Sequence, residues 1–164
     1  MKKYEFTGKF KMFLDKKLFQ IRALVSFGSV EAGEIGGYIE KEDNLSHAGN
    51  AWVSGDAWVY GDAEVYGNAE VYGDARVYKS THLLQVGAIG SRDGTTTFFR
   101  TKEKEIYVKC GCFEGSIEEF EKKVVTTHAG TKHEKTYKLA IELAKAQIEL
   151  EEEEINEVNM RLCW

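Results

Sequence analysis

Between residues 49 and 78 the chain repeats every six positions, as GNAWVS, GDAWVY, GDAEVY, GNAEVY and GDARVY. A period of six is not helical, and a glycine at every sixth position would cost about 1 kcal/mol each in a helix. Nor is this a simple alternating hairpin, because a Gly-Asp or Gly-Asn pair punctuates every copy. The pattern predicts a strand of about three residues followed by a turn, repeated along the chain. Val53, Val59, Val65, Val71 and Val77 then point inward. Ala51, Ala57, Ala63, Ala69 and Ala75, each two residues earlier, share that face.

An aliphatic residue followed by a small one four positions later (Val53 and Ala57, Val59 and Ala63, Val65 and Ala69, Val71 and Ala75) resembles the left-handed hexapeptide β-helix. Tyr60, Tyr66, Tyr72 and Tyr78 depart from it, since that family usually has a small or acidic residue after the aliphatic one. The resemblance implies three hexads per coil, so residues eighteen apart stack. Tyr60 is then expected under Tyr78, and Trp58 beside Arg76 as a cation–π pair. Five hexads make fewer than two coils, less than such a repeat needs to stand alone. Ile39, Leu45 and the glycines at 33, 36 and 37 are expected to add to it, with an inserted corner near His47–Gly49.

The flanks read differently. Residues 1–30 mix Phe6, Phe10, Phe13, Leu18, Ile21, Leu24 and Phe27 with lysines, which predicts short strands, clearest over Ile21–Val25, in a basic cap. Thr95–Arg100 and Ile106–Cys110 are strand-like runs around the charged turn Lys102–Glu105. Ser116 followed by Glu119 is a capping-box pattern that predicts a helix to about Thr126. A last helix is predicted from Lys132. Its heptad seam of Tyr137, Ile141, Ala144, Ile148, Glu151, Ile155, Val158 and Leu162 suits a coiled coil between chains or a helix lying on its own domain. The expected fold class is therefore mainly β. A cap (1–30) leads into a short left-handed parallel β-helix (31–80), then a C-terminal α+β unit (81–164) ending in a long amphipathic helix.

Three stretches resemble hexapeptide-repeat proteins of bacteriophages and prophages, mostly of unassigned function. They are Lys3–Gly8, Glu31–Ser46, and the group Gly90–Arg92, Thr95–Arg100, Cys110–Phe113 and Glu118–Phe120. The resemblance spans about residues 1–148 and implies a phage protein working in the host cytoplasm, without implying an activity.

Composition narrows the function classes. The 164 residues carry a formal net charge of −5, which opposes simple electrostatic binding of nucleic acid. No apolar run is long enough for a membrane helix, and the N-terminus has no apolar signal core. Three cysteines are too few for a disulfide scaffold and fit a reducing compartment. Many hexapeptide β-helix proteins are acyltransferases, but His47 and His82, which flank the repeat, sit in no recognisable catalytic setting. Cys110, Cys112, His128 and His133 lack the usual zinc spacing, and a buried cysteine pair is the commoner meaning.

Gly90–Thr97 is more informative. This Gly-flanked turn is rich in hydroxyls and backbone donors and has Arg92 and Arg100 near its ends, so it can cradle a phosphate. The plain alternative is a β-turn followed by strand threonines. The expected ligand-binding set is Ser91, Arg92, Thr95, Thr96, Thr97, Arg100 and Lys109, with Trp58 and Tyr60 as flat surfaces for a base. The expectation is a non-catalytic homo-oligomer that needs no cofactor and sequesters a nucleotide-type host signal. The alternative is a module that binds a host or phage protein.

Overall fold

A computed structural model describes residues 1–151. The chain opens with the hairpin β1 (Tyr4–Phe13) and β2 (Lys16–Ala23), followed by β3 (Ile35–Ile39). The repeat forms β4 (Trp52–Val53), β5 (Trp58–Val59), β6 (Glu70–Val71) and β7 (Arg76–Val77). One five-stranded sheet runs β1-β2-β3-β5-β7, and β4 pairs with β6 in a second, two-stranded sheet.

Parallel pairing joins Trp58 to Arg76 and Trp52 to Glu70, each eighteen residues apart. The alanines and valines of every hexad are buried as expected, and they form one core with Tyr4, Ile21, Ile39, Leu45 and Trp52. Tyr60 stacks on Tyr78 with ring centroids 5.0 Å apart, and the Arg76 guanidinium lies 3.8 Å from the Trp58 ring. A Cβ on Gly61, at φ +62°, would come 2.6 Å from the Tyr78 carbonyl, so the close stacking of successive corners requires glycine there.

Two expectations about fold class are corrected. The chain is not a left-handed parallel β-helix, because its larger sheets are mixed or antiparallel. A Gly-Asp or Gly-Asn turn in each hexad limits the repeat's strands to two residues. Only the flanks, which lack that punctuation, build long strands, and their hairpins run antiparallel. Nor does the chain end in a long helix among the described residues. Helix α1 (Ile117–His128) has 12 residues and α2 (Lys132–Gln147) has 16, separated by Gly130 at φ +73°. Beyond Gln147 the chain leaves the helix and reaches the segment that follows the repeat and the end of the strand Gly94–Arg100. There the Glu149 amide donates to the Thr81 carbonyl, Lys79 pairs with Glu149 at 3.0 Å, and Arg100 Nε donates to the Leu150 carbonyl. Tyr137, Ile141, Ala144 and Ile148 of the heptad seam are buried within their own unit, while Ile155, Val158 and Leu162 lie outside the described residues.

The C-terminal sheet is antiparallel in the order β11-β10-β9-β8. Its strands are β8 (Leu83–Ile89), β9 (Gly94–Arg100), β10 (Ile106–Cys110) and β11 (Phe113–Ser116). The capping box forms as expected, with Ser116 Oγ accepting from the Glu119 amide and the Glu119 carboxylate accepting from the Ser116 amide. Both helices cover one face of this sheet around Phe98, Val108, Phe120, Val124 and Ile141. Strand alternation turns Phe99 to the other face, where it joins the repeat's core. The strand β9 thus stands between two cores and brings the ends of its hairpins against the repeat.

Candidate functional site

Where the β8–β9 and β10–β11 turns meet α1 and the edge of the repeat, a cleft of about 550 Å³ opens. Its floor is apolar, from Ile89, Phe113, Phe120, Val124 and Tyr137. Amphipathic spacing on α1 explains the wall above it. Phe120 and Val124 face the core, and the turns between them carry Lys123, Thr127 and His128 to the rim. On the opposite side the repeat contributes Asn50, Asn68 and Glu70.

The turn singled out in the sequence lies at this cleft. Gly90, at φ +80°, leaves room for the Tyr137 hydroxyl, which sits where a Cβ would be. Asp93 also takes a left-handed conformation (φ +47°), and its amide donates to the Gly90 carbonyl. Ser91, Arg92, Thr95, Thr97 and Lys109 of the expected set all line the cleft.

The other four residues lie elsewhere. Thr96 is buried and its hydroxyl donates to Cys110 Sγ at 3.2 Å. Arg100 is buried, holding the Leu150 carbonyl and lying 5.4 Å from the Tyr78 ring. Trp58 is in β5 of the five-stranded sheet and Tyr60 directly follows that strand, both in contact with Phe13, with centroid distances of 5.4 and 5.6 Å. Trp58 is further occupied by Arg76.

The charges of the cleft fall into two groups. Lys109 is held, 2.6 Å from Glu114 and 3.8 Å from Glu70. Burial raises the Glu70 carboxyl above its ordinary pKa, with Lys109 pulling the other way and Glu114 adding to the rise. Arg92 and Lys123 make no hydrogen bond or ion pair among the described residues. The Tyr137 hydroxyl, 3.6 Å from Cys110 Sγ, is pushed well above the usual phenol range, mainly by burial. Cys110, Cys112 and His128 share the cleft, yet no group of three or more side chains suited to a metal occurs among the described residues.

Sequence reasoning missed the amide pair Asn50 and Asn68. The hexad corners read Asn50, Asp56, Asp62, Asn68 and Asp74, and the two amides are the corners that line the cleft. Eighteen-residue stacking brings them together, so the signal was present in the repeat itself. Among the described residues no helix is long and apolar enough to cross a membrane. No protein-family model matches the chain, and no curated protein is detectably similar to it.

Proposed function

We propose that the protein is a non-catalytic binder that holds a small anionic molecule with a flat apolar part, of nucleotide type, in this cleft. The observation that carries this reading is the exchange of acid for amide at the two repeat corners facing the cleft, opposite the unpaired Arg92 and Lys123. A carboxylate at position 50 or 68 would repel an anion, whereas an amide can donate to it. Phe113 and Ile89, both partly exposed at the cleft, offer the apolar surface for a base. Lys109 is shared between Glu114 and Glu70, and Asp93 also lines the cleft, so the anion would be held on the Arg92 and Lys123 side, away from Glu70. Together with the resemblance to phage proteins, this favours sequestration of a host nucleotide signal in the host cytoplasm.

Titration calorimetry with a panel of linear and cyclic nucleotides tests it. Arg92→Ala is expected to weaken binding about tenfold or more, as loss of a charge-assisted contact does. Asn68→Asp installs the residue that the repeat tolerates at Asp56, Asp62 and Asp74. It should weaken binding similarly while leaving the unfolding temperature in place. Unchanged affinity in both variants would remove the cleft from the reading. A wild type that takes up no nucleotide would favour the protein-binding alternative.

A further inference from the structure

Cys110 and Cys112 stand on either side of one glycine at the cleft wall. The register that pairs Cys110 with Phe113 leaves Gly111 and Cys112 as the two-residue turn between β10 and β11. Gly111 takes φ +58°, the left-handed conformation that such a hairpin turn needs at its first residue. Two residues of chain span at most about 7 Å even when extended, and a turn brings their ends closer. A disulfide joins Cα atoms about 4.4–6.8 Å apart, so this turn keeps the two thiols within bridging range. Nothing lies within 4 Å of where a Cβ on Gly111 would be, which leaves room for the turn to adjust.

The cysteine pair is not buried as expected. Both are free thiols, Cys112 exposed and Cys110 half-buried. Their surroundings differ as well. Cys110 Sγ accepts from the Thr96 hydroxyl at 3.2 Å and lies 3.6 Å from the Tyr137 hydroxyl. Thr96 and Tyr137 are both buried, so two hydroxyls of the interior converge on one sulfur at the cleft. A core cysteine that only fills space meets apolar neighbours instead. Hydroxyls can donate to a sulfur as it takes up negative charge. Cys112 makes no hydrogen bond among the described residues. One thiol is thus open to an incoming molecule, and the other is held beside it.

We propose that Cys110 and Cys112 are a redox modification site, a dithiol that a low-molecular-weight disulfide converts to a reversible bridge across Gly111. The Cys112 thiolate attacks one sulfur of the small disulfide. That S–S bond breaks, and half of the molecule leaves as a thiolate that takes up a proton. The Cys110 thiolate then attacks the Cys112 sulfur of the mixed disulfide, and the second half leaves in the same way. In all, two electrons and two protons pass from the dithiol to the small disulfide. Closing the bridge draws the Cys110 sulfur away from Thr96 and Tyr137, so the cleft wall changes with oxidation. The proposal stands on the two thiols and does not rest on the cleft taking a nucleotide.

Peptide mass mapping of the full chain after incubation with glutathione disulfide tests it. Both cysteines fall on one tryptic peptide, Cys110–Lys122, which should become two hydrogens lighter. In Cys110→Ser the exchange should stop at its first step, and that peptide should carry one glutathione. In Cys112→Ser the reaction of Cys110 should slow about tenfold or more, because the entry thiol is gone. A large excess of reduced glutathione should return the wild type to the dithiol. A wild-type peptide that keeps both thiols, or that stops with glutathione attached, overturns the proposal. A bond from either cysteine to Cys163, in the same chain or another, overturns it as well. So does a Cys110 that reacts at the wild-type rate without Cys112, or a bridge that persists in reduced glutathione.

Discussion

The two cores are built on opposite principles. Inside the repeat, five alanines and five valines recur at fixed places, and each is small because a neighbouring coil lies directly against it. Beneath the helices, Phe98, Phe120, Tyr137 and Ile141 fill an irregular space, with Phe120 edge-on to Phe98 at 6.2 Å and to Tyr137 at 5.5 Å. A periodic interior is written once and copied, whereas an aromatic interior must be fitted residue by residue. The first should therefore resist enlargement, and the second should resist truncation.

The largest expected effect is on the aromatic side. Phe98→Ala should lower stability by about 3–5 kcal/mol in urea unfolding, because the helices cannot close over the space left. The reciprocal change, Ala69→Leu in the repeat, should cost about 1–3 kcal/mol through overpacking. If Ala69→Leu is tolerated freely, the repeat interior is looser than its buried alanines indicate, and the contrast fails.

A smaller effect separates two short turns that flank the repeat, one before it and one after it. The 3-10 turns Glu42–Asn44 and Ser80–His82 are alike in sequence position, each following a lysine and ending in a side chain that accepts from that lysine's amide. Asn44 also donates to the carbonyls of Gly61 and Ala63, whereas the buried His82 Nε2 has no partner among the described residues. Burial, with Arg100 and Lys79 nearby, lowers the His82 pKa from 6.5 to about 4. The neutral ring is thus favoured on folding. Its contribution is complete above pH 6.5 and is lost as pH falls from there toward 4. Between pH 7.5 and 5 the loss should be about 1–2 kcal/mol. His82→Asn, which copies the other turn, should flatten that part of the profile of urea midpoint against pH. An unchanged slope would trace the acid sensitivity to another group.

How much of this was legible in the sequence depended on whether a residue's role repeats. The eighteen-residue stacking was implied by the resemblance that the hexads carry, and the Trp58–Arg76 and Tyr60–Tyr78 contacts follow it. The Ser116 cap was equally plain, because a capping box is a local event. The extent of parallel structure was not, since two-residue strands carry too little pairing to set the character of the sheets that the long hairpins dominate. Of the Gly90–Thr97 turn, Ser91, Arg92, Thr95 and Thr97 line the cleft, while Thr96, by strand alternation, is turned into the interior. Arg100 was misread because its partner is the Leu150 carbonyl, fifty residues away. Lys123 and Thr127 were overlooked because only packing of Phe120 and Val124 decides which way α1 turns its polar side.

Phe98 and Phe99 are consecutive residues, yet they are anchors of different interiors. A strand shared in this way acts as a common wall. Peeling it from the helices uncovers Phe98, and loosening the repeat uncovers Phe99 and withdraws support from the sheet on which the helices rest. A shared wall of this kind is expected to tie the two interiors into one unfolding unit, which a single coincident transition by far-UV and aromatic signals would show.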